Sequence, residues 1–217
     1  MNHSPANTKQ KLRVVCISDT HEMHRDLEVA PGDILIHAGD FSFFSGRRSQ
    51  IVDFNDWLGL LPHKVKIVIP GNHEFLFQSE PAAMKMITNA TLLMNSAVQV
   101  GGVTVWGSPV TPLVGGAFSC LDPVERRKIY ASIPEMTDII VTHGPPAEIL
   151  DRESASDPPG GCRELRSAVL QLKPRLHVFG HIHGGYGRVK IGPTIFVNAA
   201  LFGEFGDLEK KPIVIEL

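Results

Sequence analysis

The sequence predicts an α/β protein in which two β-sheets are flanked by helices. Short apolar runs rich in β-branched residues alternate with helical segments, which is typical of parallel strands joined by right-handed crossovers. Runs over residues 12–18, 33–37 and 65–69 are expected to be buried strands. Apolar residues at helical spacing predict a helix over residues 50–61, between the second and third runs.

The rest of the chain predicts a second sheet. Residues 97–106 are expected to form a hairpin, because Gly101 and Gly102 suit a two-residue turn with positive φ. Asp122 and Pro123 are typical of the start of a helix, which is expected to extend to residue 131. Further helices are expected over residues 82–89 and 162–172, strands over 138–142 and 175–180, and antiparallel strands over 186–191, 194–198 and 213–217.

Length and charge limit the classes of protein that this chain can be. Its 217 residues fit one domain, expected to span residues 11–217 after a flexible tail over residues 1–10. The formal net charge is −2 and the isoelectric point is about 6.5, so no basic field is present to bind long nucleic acids.

Cysteine usage and the absence of long apolar runs point to a cytoplasmic protein. The three cysteines are widely separated and form no C-x-x-C pair, which argues against a disulfide framework or a cysteine zinc site. No apolar run approaches the length of about 18 residues that a membrane helix needs, and the first residues lack the apolar segment of a signal peptide. We therefore expect reduced thiols and no membrane partner.

Polar clusters follow five of the predicted strands. In open α/β sheets, ligands bind beyond the carboxyl ends of the strands, so these clusters are expected to share one cleft. Each cluster alone also fits a turn or a buried polar residue, but five in this context favour a metal centre. They are Asp19-Thr20-His21, Gly39-Asp40, Gly71-Asn72-His73-Glu74, Thr142-His143-Gly144 and Gly180-His181-Ile182-His183.

The donor types within these clusters predict two metal ions. Asp19 and His21 are two residues apart, so an extended segment would direct both side chains to the same side, and His181 and His183 repeat this spacing. Two carboxylates, one amide and four imidazoles are too many ligands for one tetrahedral ion and suit two ions that share a carboxylate. Oxygen and nitrogen donors without thiolate favour Mn, Fe, Zn or similar ions. The expected ligands are Asp19, His21, Asp40, Asn72, His143, His181 and His183.

The charge of such a centre suits a phosphoester substrate. Two divalent ions and two aspartates leave about +2, and a bridging hydroxide would reduce this to about +1. That hydroxide is the expected nucleophile, because a bound metal lowers the pKa of water to about 7.

The five clusters together resemble the signature of the calcineurin-like metallophosphoesterases. Their order and spacing match over residues 19–183, and the segments around residues 54–57, 143–146 and 177–187 resemble the metallophosphoesterase-domain-containing branch, akin to class III cyclic nucleotide phosphodiesterases. The resemblance covers nearly the whole chain. It implies a four-layer αββα sandwich of two mixed sheets flanked by helices.

The resemblance also implies a role for each site residue. One ion would be held by Asp19, His21, Asp40 and His183, and the other by Asp40, Asn72, His143 and His181, so that Asp40 bridges them. His73 would contact the phosphate and help to protonate the leaving oxygen. This chain keeps the whole ligand set, which favours an active enzyme.

Some roles remain open in the sequence. Phosphatases of the superfamily carry a further Asp shortly after the bridging Asp, and here no carboxylate stands in that segment. Glu74 is one candidate for orienting His73, and a simple turn residue is the alternative. Arg47 and Arg48 would either meet the substrate or lie in solvent, and Phe43, Phe44 and Tyr186 would either stack on a base or pack.

The resulting expectation is a phosphoric ester hydrolase that uses two divalent or mixed-valence ions. Phosphodiesters such as cyclic nucleotides are the expected substrates. The alternatives are a phosphomonoesterase for nucleotides or phosphoproteins, and a weakly active nucleotide-binding metal scaffold. The expected partner is a small-molecule phosphoester, and the sequence leaves the natural substrate, the metal pair and the oligomeric state open.

Overall fold

The strands of the protein were located in a computed structural model that describes residues 11–43, 47–203 and 206–217. The predicted tail over residues 1–10 and Phe44 therefore lie outside the described residues, and the single-domain expectation stays a prediction. The strands are β1 (Arg13–Ile17), β2 (Ile34–His37), β3 (Val65–Val68), β4 (Thr91–Leu92), β5 (Ser96–Val100), β6 (Val103–Ser108), β7 (Ile139–Thr142), β8 (Leu176–Phe179), β9 (Gly187–Ile191), β10 (Thr194–Asn198) and β11 (Ile213–Glu216).

These strands form two mixed sheets, as the sequence predicts. The five-stranded sheet has the order β11-β1-β2-β3-β4, and the six-stranded sheet has the order β5-β6-β7-β8-β10-β9. β1, β2 and β3 are parallel, and so are β6, β7 and β8. The predicted hairpin is present, with φ values of 57° at Gly101 and 78° at Gly102. The last three strands are antiparallel to a neighbour, but β11 pairs with β1 in the other sheet.

The helices are α1 (Arg48–Leu60), α2 (Phe75–Ser79), α3 (Pro123–Ala131) and α4 (Arg163–Leu172). Asp122 caps α3 as predicted, because its side chain accepts a hydrogen bond from the backbone N–H of Val124 at 2.8 Å. The helix predicted over residues 82–89 was wrong in type and extent: α2 lies before it, and Pro81–Met86 forms a 3-10 helix. Pro81 lacks a backbone N–H and interrupts the helix ladder there.

Alternating side chains of the strands build a four-layer αββα sandwich. On β1, Val14 and Cys16 face the six-stranded sheet, whereas Val15 and Ile17 face the layer of α1. The apolar face of α3 and α4 covers the outside of the six-stranded sheet. None of the helices in the described ranges is both long and apolar enough to cross a bilayer.

The two sheets meet at the carboxyl ends of their parallel strands. Ser18, just after β1, forms a bridge with Ala200, just after β10, and its carbonyl oxygen accepts from the N–H of Leu201 at 3.0 Å. The loop after β1 is also joined to the loop after β2, because the N–H of His21 donates to the carbonyl oxygen of Asp40 at 3.1 Å. Loops from both sheets are therefore held together at one edge of the sandwich.

Candidate metal centre

All seven predicted ligands lie just beyond the carboxyl ends of five parallel strands. Asp19 and His21 follow β1, Asp40 follows β2, and Asn72 follows β3 in the first sheet. In the second sheet His143 follows β7, and His181 and His183 follow β8. The strand ends thus converge on one site, as the sequence predicts.

Two groups of these side chains bring their ligand atoms within 4.8 Å of one another. Asp40, His143 and His181 form what we call the buried cluster, and Asp19, His21 and His183 form the open cluster. The His143 side chain is fully buried, whereas the His183 side chain is 29% exposed. Both groups have the composition and spacing that could hold a metal ion.

The side-chain contacts of the buried cluster require positive charge. The Nδ1 of His143 lies 2.9 Å from the carbonyl oxygen of Ala38, which can only accept, so Nδ1 carries a proton. The Nε2 of His143 lies 2.7 Å from Oδ1 of Asn72 and 3.2 Å from Oδ2 of Asp40. A neutral imidazole would direct a lone pair at these oxygen acceptors, so the arrangement requires a proton or a metal ion between them.

The pKa values of the buried cluster show the same demand for positive charge. Burial alone would lower the pKa of His143, but the Asp40 carboxylate raises it to about 10. Burial would raise the pKa of Asp40, and the charge of His143 outweighs this and lowers it. Burial lowers the pKa of His181 to about 4, so this imidazole is neutral at pH 7 and offers a lone pair.

The open cluster repeats this arrangement with more solvent around it. Nε2 of His183 lies 3.4 Å from Oδ1 of Asp19. Nδ1 of His21 lies 3.2 Å from the carbonyl oxygen of Ser42, so Nδ1 donates and the Nε2 lone pair stays available. Burial would raise the pKa of Asp19, but the hydrogen bond from His183 holds it well below its usual range.

Backbone strain is concentrated in these ligand loops. Non-glycine residues rarely adopt positive φ, yet Asp19, His21, Asp40 and His181 have φ values of 53°, 41°, 54° and 69°. Such strain persists only where the surroundings fix it and is common at functional sites. Gly71 is required by close approach, since a Cβ there would lie 2.6 Å from both the His143 ring and the Asp40 backbone nitrogen.

His73 lies at the junction of the two clusters. Its Nε2 is 3.7 Å from Oδ2 of Asp40, and its ring centroid is 4.8 Å from that of His21. Burial lowers its pKa against the opposing charge of Asp40. The ligand atoms of His21, Asp40 and His73 also lie within 4.8 Å of one another, so His73 is close enough to bind an ion as well as a substrate.

Glu74 organises the loop around Asp40. Its buried carboxylate accepts from the backbone N–H groups of Asp40 at 3.0 Å, Ser42 at 2.9 Å and Gly71 at 2.5 Å, and from the Ser42 hydroxyl at 2.8 Å. Burial and the nearby Asp40 charge raise its pKa to about 7. Glu74 thus holds the loops after β2 and β3 together, and the carboxylate beside the His73 ring is that of Asp40.

Buried neutral histidines support both clusters from the neighbouring strands. Nε2 of His37 lies 3.0 Å from the Thr20 hydroxyl, and Nε2 of His177 lies 2.9 Å from the Thr142 hydroxyl. Burial lowers the pKa of each to about 3. Because the Thr142 hydroxyl donates to the carbonyl oxygen of Gly144 at 2.8 Å, His177 is the donor to it, which fixes the tautomer.

Two supporting residues of the open cluster were not found from the sequence. The Glu153 carboxylate accepts from the backbone N–H of His183 at 3.2 Å and of Gly184 at 2.7 Å. The Lys210 ammonium donates to the carbonyl oxygens of His183 at 2.5 Å and Phe202 at 3.2 Å. Both come from loops without a strand-end motif, so no local signal marks them.

The residues whose roles the sequence left open fall into different places. Arg47 lines a pocket beside His21, whereas Arg48 pairs with Glu80 at the surface. The Tyr186 hydroxyl donates to the carbonyl oxygen of Lys211 at 2.8 Å, and its ring packs against the core beneath α1. Phe43 lines the same pocket as Arg47.

The fold and the donor set define a class of protein: an αββα sandwich whose strand ends carry two Asp/His groups able to hold metal ions. Within that class, the chain belongs to the calcineurin-like phosphoesterase family, which matches residues 12–185. It is therefore a metal-dependent hydrolase by family, and the resemblance found in the sequence is confirmed.

Two similar proteins match this chain over most of its length. Human metallophosphoesterase domain-containing protein 1 is 39% identical, covering 94% of this chain and 71% of its own length. A UPF0046 protein of Caenorhabditis elegans is 35% identical, covering 99% of this chain and 78% of its own length.

Solved structures share the fold at low identity. The phosphopantetheinyl hydrolase of Mycobacterium tuberculosis aligns with a TM-score of 0.62 and 16% identity over 96% of both chains. Protein TT1561 of Thermus thermophilus aligns with a TM-score of 0.61 and 12% identity over 95% of this chain and 99% of its own. The predicted four-layer sandwich is confirmed.

Proposed function

We propose that this protein is a two-metal phosphodiesterase. One ion would be held by Asp19, His21, Asp40 and His183, and the other by Asp40, Asn72, His143 and His181, so that Asp40 would serve both. The observation that carries the proposal is the position of Asp40: the ligand atoms of Asp40, His143 and His181 lie within 4.8 Å of one another, and so do those of His21, Asp40 and His73.

The donor chemistry supports ions of the Mn, Fe or Zn type. The set contains carboxylate oxygen, amide oxygen and imidazole nitrogen without thiolate. When bound, the ions would lower the pKa of a water molecule to about 7 and draw charge from the phosphoryl oxygens. With two divalent ions the two aspartates leave a charge of about +2, which attracts a phosphoester.

His73 protonates the leaving oxygen in this proposal. Its imidazole is half-buried beside Asp40 and close to the open face at His21. Its backbone N–H donates to Oδ1 of Asp40 at 2.9 Å, so the same carboxylate that bridges the clusters also fixes the position of His73. General acid help of this kind is worth about 10²–10⁴-fold in rate.

A diester preference rests on residues near Asp40. A phosphodiester is a monoanion, and a site of modest net positive charge can neutralise it without trapping it. The segment after Asp40 also lacks the second Asp of the phosphatases. The proposed substrate is a small phosphodiester, with a cyclic nucleotide as one example, and the proposed location is the cytoplasm.

The substrate class is tested with two chromogenic esters and manganese. We expect kcat/KM to be higher for bis(4-nitrophenyl) phosphate than for 4-nitrophenyl phosphate. A higher value for the monoester would establish a phosphomonoesterase instead. Turnover that survives unchanged in Asp40→Asn would come from a contaminant and would favour a metal-binding scaffold without catalysis.

A further inference from the structure

A pocket of about 580 Å³ opens beside the open cluster. His21 belongs to both, so the pocket and the proposed metal centre share one side chain. A substituent on a phosphorus atom held at the metal centre could extend past the His21 ring into this space. The pocket is therefore placed to receive part of a substrate.

Two phenyl rings form walls of this pocket. The rings of Phe43 and Phe202 have centroids 6.1 Å apart and planes tilted by 38°. Each also meets the His21 ring near its edge, with centroid distances of 5.3 Å for Phe43 and 4.7 Å for Phe202. Such angles and distances are typical of favourable aromatic pairs, so the rings and His21 form one aromatic surface.

The exposure of Phe43 differs from that of the other phenyl rings nearby. Phe43 is 45% exposed, whereas Phe41, two residues earlier, is 1% exposed and Phe54 is fully buried. Phe43 and Phe202 together give the pocket an apolar wall rimmed by polar residues, and such apolar patches mark ligand-binding grooves. The Phe43 backbone is also fixed, because its N–H donates to Oε1 of Glu22 at 3.0 Å.

Two further side chains of the lining suit a flat group, beside Glu22, Gln50 and Gly206, which complete it. Arg47 brings a planar guanidinium to the pocket, and such a group stacks on aromatic faces as well as binding anions. Met23 adds a polarisable thioether, which makes favourable contacts with aromatic rings. Rings, guanidinium and thioether can all make favourable contacts with another planar π-system.

We propose that this pocket, lined by Phe43, Phe202, Met23 and Arg47, is a substrate subsite for a planar aromatic group. The group is an aryl or heteroaryl substituent on the phosphorus, and the subsite rests on the proposed phosphoesterase function. It selects among phosphoesters by their organic part, while the metal centre binds the phosphoryl part.

The test compares three phosphonates that share one head group. Dissociation constants of phenyl-, cyclohexyl- and methylphosphonate are measured by titration calorimetry on manganese-loaded protein. We expect phenylphosphonate to bind about tenfold more tightly than methylphosphonate, since an aromatic contact is worth about that factor. Cyclohexylphosphonate should bind more weakly than the phenyl compound.

Variants assign the preference to the two rings. In the double variant Phe43→Leu, Phe202→Leu we expect the phenyl advantage over methyl to fall to about twofold, with methylphosphonate affinity and metal content unchanged. Leu60→Ala is the control. Leu60 is 75% exposed at the far end of α1, about 18 Å along the helix from Arg48.

The outcomes separate the subsite from the function that it serves. Equal affinities for phenyl- and methylphosphonate, or cyclohexylphosphonate binding at least as tightly as phenyl, would overturn the aromatic subsite. A preference that survives in the double variant would also overturn it. If bis(4-nitrophenyl) phosphate is not hydrolysed while the phenyl preference holds, the subsite stands and the proposed catalysis fails. If none of the phosphonates binds, the subsite fails, and hydrolysis of bis(4-nitrophenyl) phosphate still decides the proposed function on its own.

Discussion

The buried and open clusters use similar side chains in different surroundings. His143 is enclosed between the sheets and fixed by a side-chain hydrogen bond to the carbonyl oxygen of Ala38, at 2.9 Å. His183 is 29% exposed, and its position depends on the contacts that Glu153 and Lys210 make with its backbone. An ion in the open cluster should therefore exchange with solvent more readily than one in the buried cluster.

The largest expected effect comes from changing Asp40, the proposed ligand of both ions. Asp40→Asn deletes one negative charge from a position between His143 and His73, so the affinity for both ions should fall together. We expect activity on bis(4-nitrophenyl) phosphate to fall by at least about 10³-fold, comparable with loss of a principal electrostatic group in other enzymes. Metal content is measured on the same samples.

Asp53→Asn is the control for that charge change. Asp53 is half-exposed, pairs with Arg25 and with the buried His24, and belongs to neither cluster. It should leave activity and metal content unchanged. Loss of only one ion in Asp40→Asn would show that Asp40 does not bridge the clusters.

The next effect separates catalysis from metal binding at the junction of the clusters. His73→Ala should lower kcat by about 10²–10⁴-fold for an ester with a poor leaving group, because that oxygen needs a proton. With 4-nitrophenolate as leaving group the loss should be smaller. Both ions should remain. If the variant binds one ion fewer, His73 is a ligand, and its role as the acid would be wrong.

A smaller effect is expected where the open cluster depends on its support. Glu153→Ala removes the acceptor for the N–H groups of His183 and Gly184. Groups that orient ligands typically contribute about 10–100-fold to metal affinity, so one of the two ions should bind that much more weakly. Competition with a chelator measures both affinities. Equal weakening of both ions would contradict the difference between the clusters, and Glu135→Ala is the exposed control.

The smallest effect concerns the framework beneath the buried cluster and depends on pH. The folded pKa of His177 is about 3, below its ordinary value of 6.5, because burial disfavours the charged form. Below pH 6.5 the unfolded chain takes up a proton that the folded chain does not. The free energy of unfolding therefore decreases as the pH is lowered from 6.5 to about 3. The loss approaches about 1.4 kcal/mol per pH unit.

His177→Gln removes this titration while keeping a donor for the Thr142 hydroxyl. Urea unfolding at pH 7 and pH 5 should show a smaller drop in the free energy of unfolding for the variant than for the parent. An identical drop would mean that folding does not lower the pKa of His177.

The sequence predicted which polar residues meet at one site because they follow a simple rule. Strands with β-branched residues end at residue 17, 37, 68, 142 and 179, and polar residues placed after parallel strand ends must converge. Glu153, Lys210 and Phe202 obey no such rule. Their loops reach the site only through tertiary packing, which the local sequence pattern does not encode. The same holds for the role of Glu74, because this carboxylate is next to His73 in sequence but binds the backbone of the loop around Asp40.

The number of metal ions per chain decides whether the two clusters form a two-metal centre. The parent protein and His183→Ala are loaded with manganese, freed of excess metal by gel filtration and measured by plasma mass spectrometry. Two clusters whose proposed ions share Asp40 as a ligand predict about two ions per chain in the parent. In His183→Ala they predict about one ion, retained by the buried cluster. Saturation of the parent protein at one ion per chain would contradict the two-metal centre.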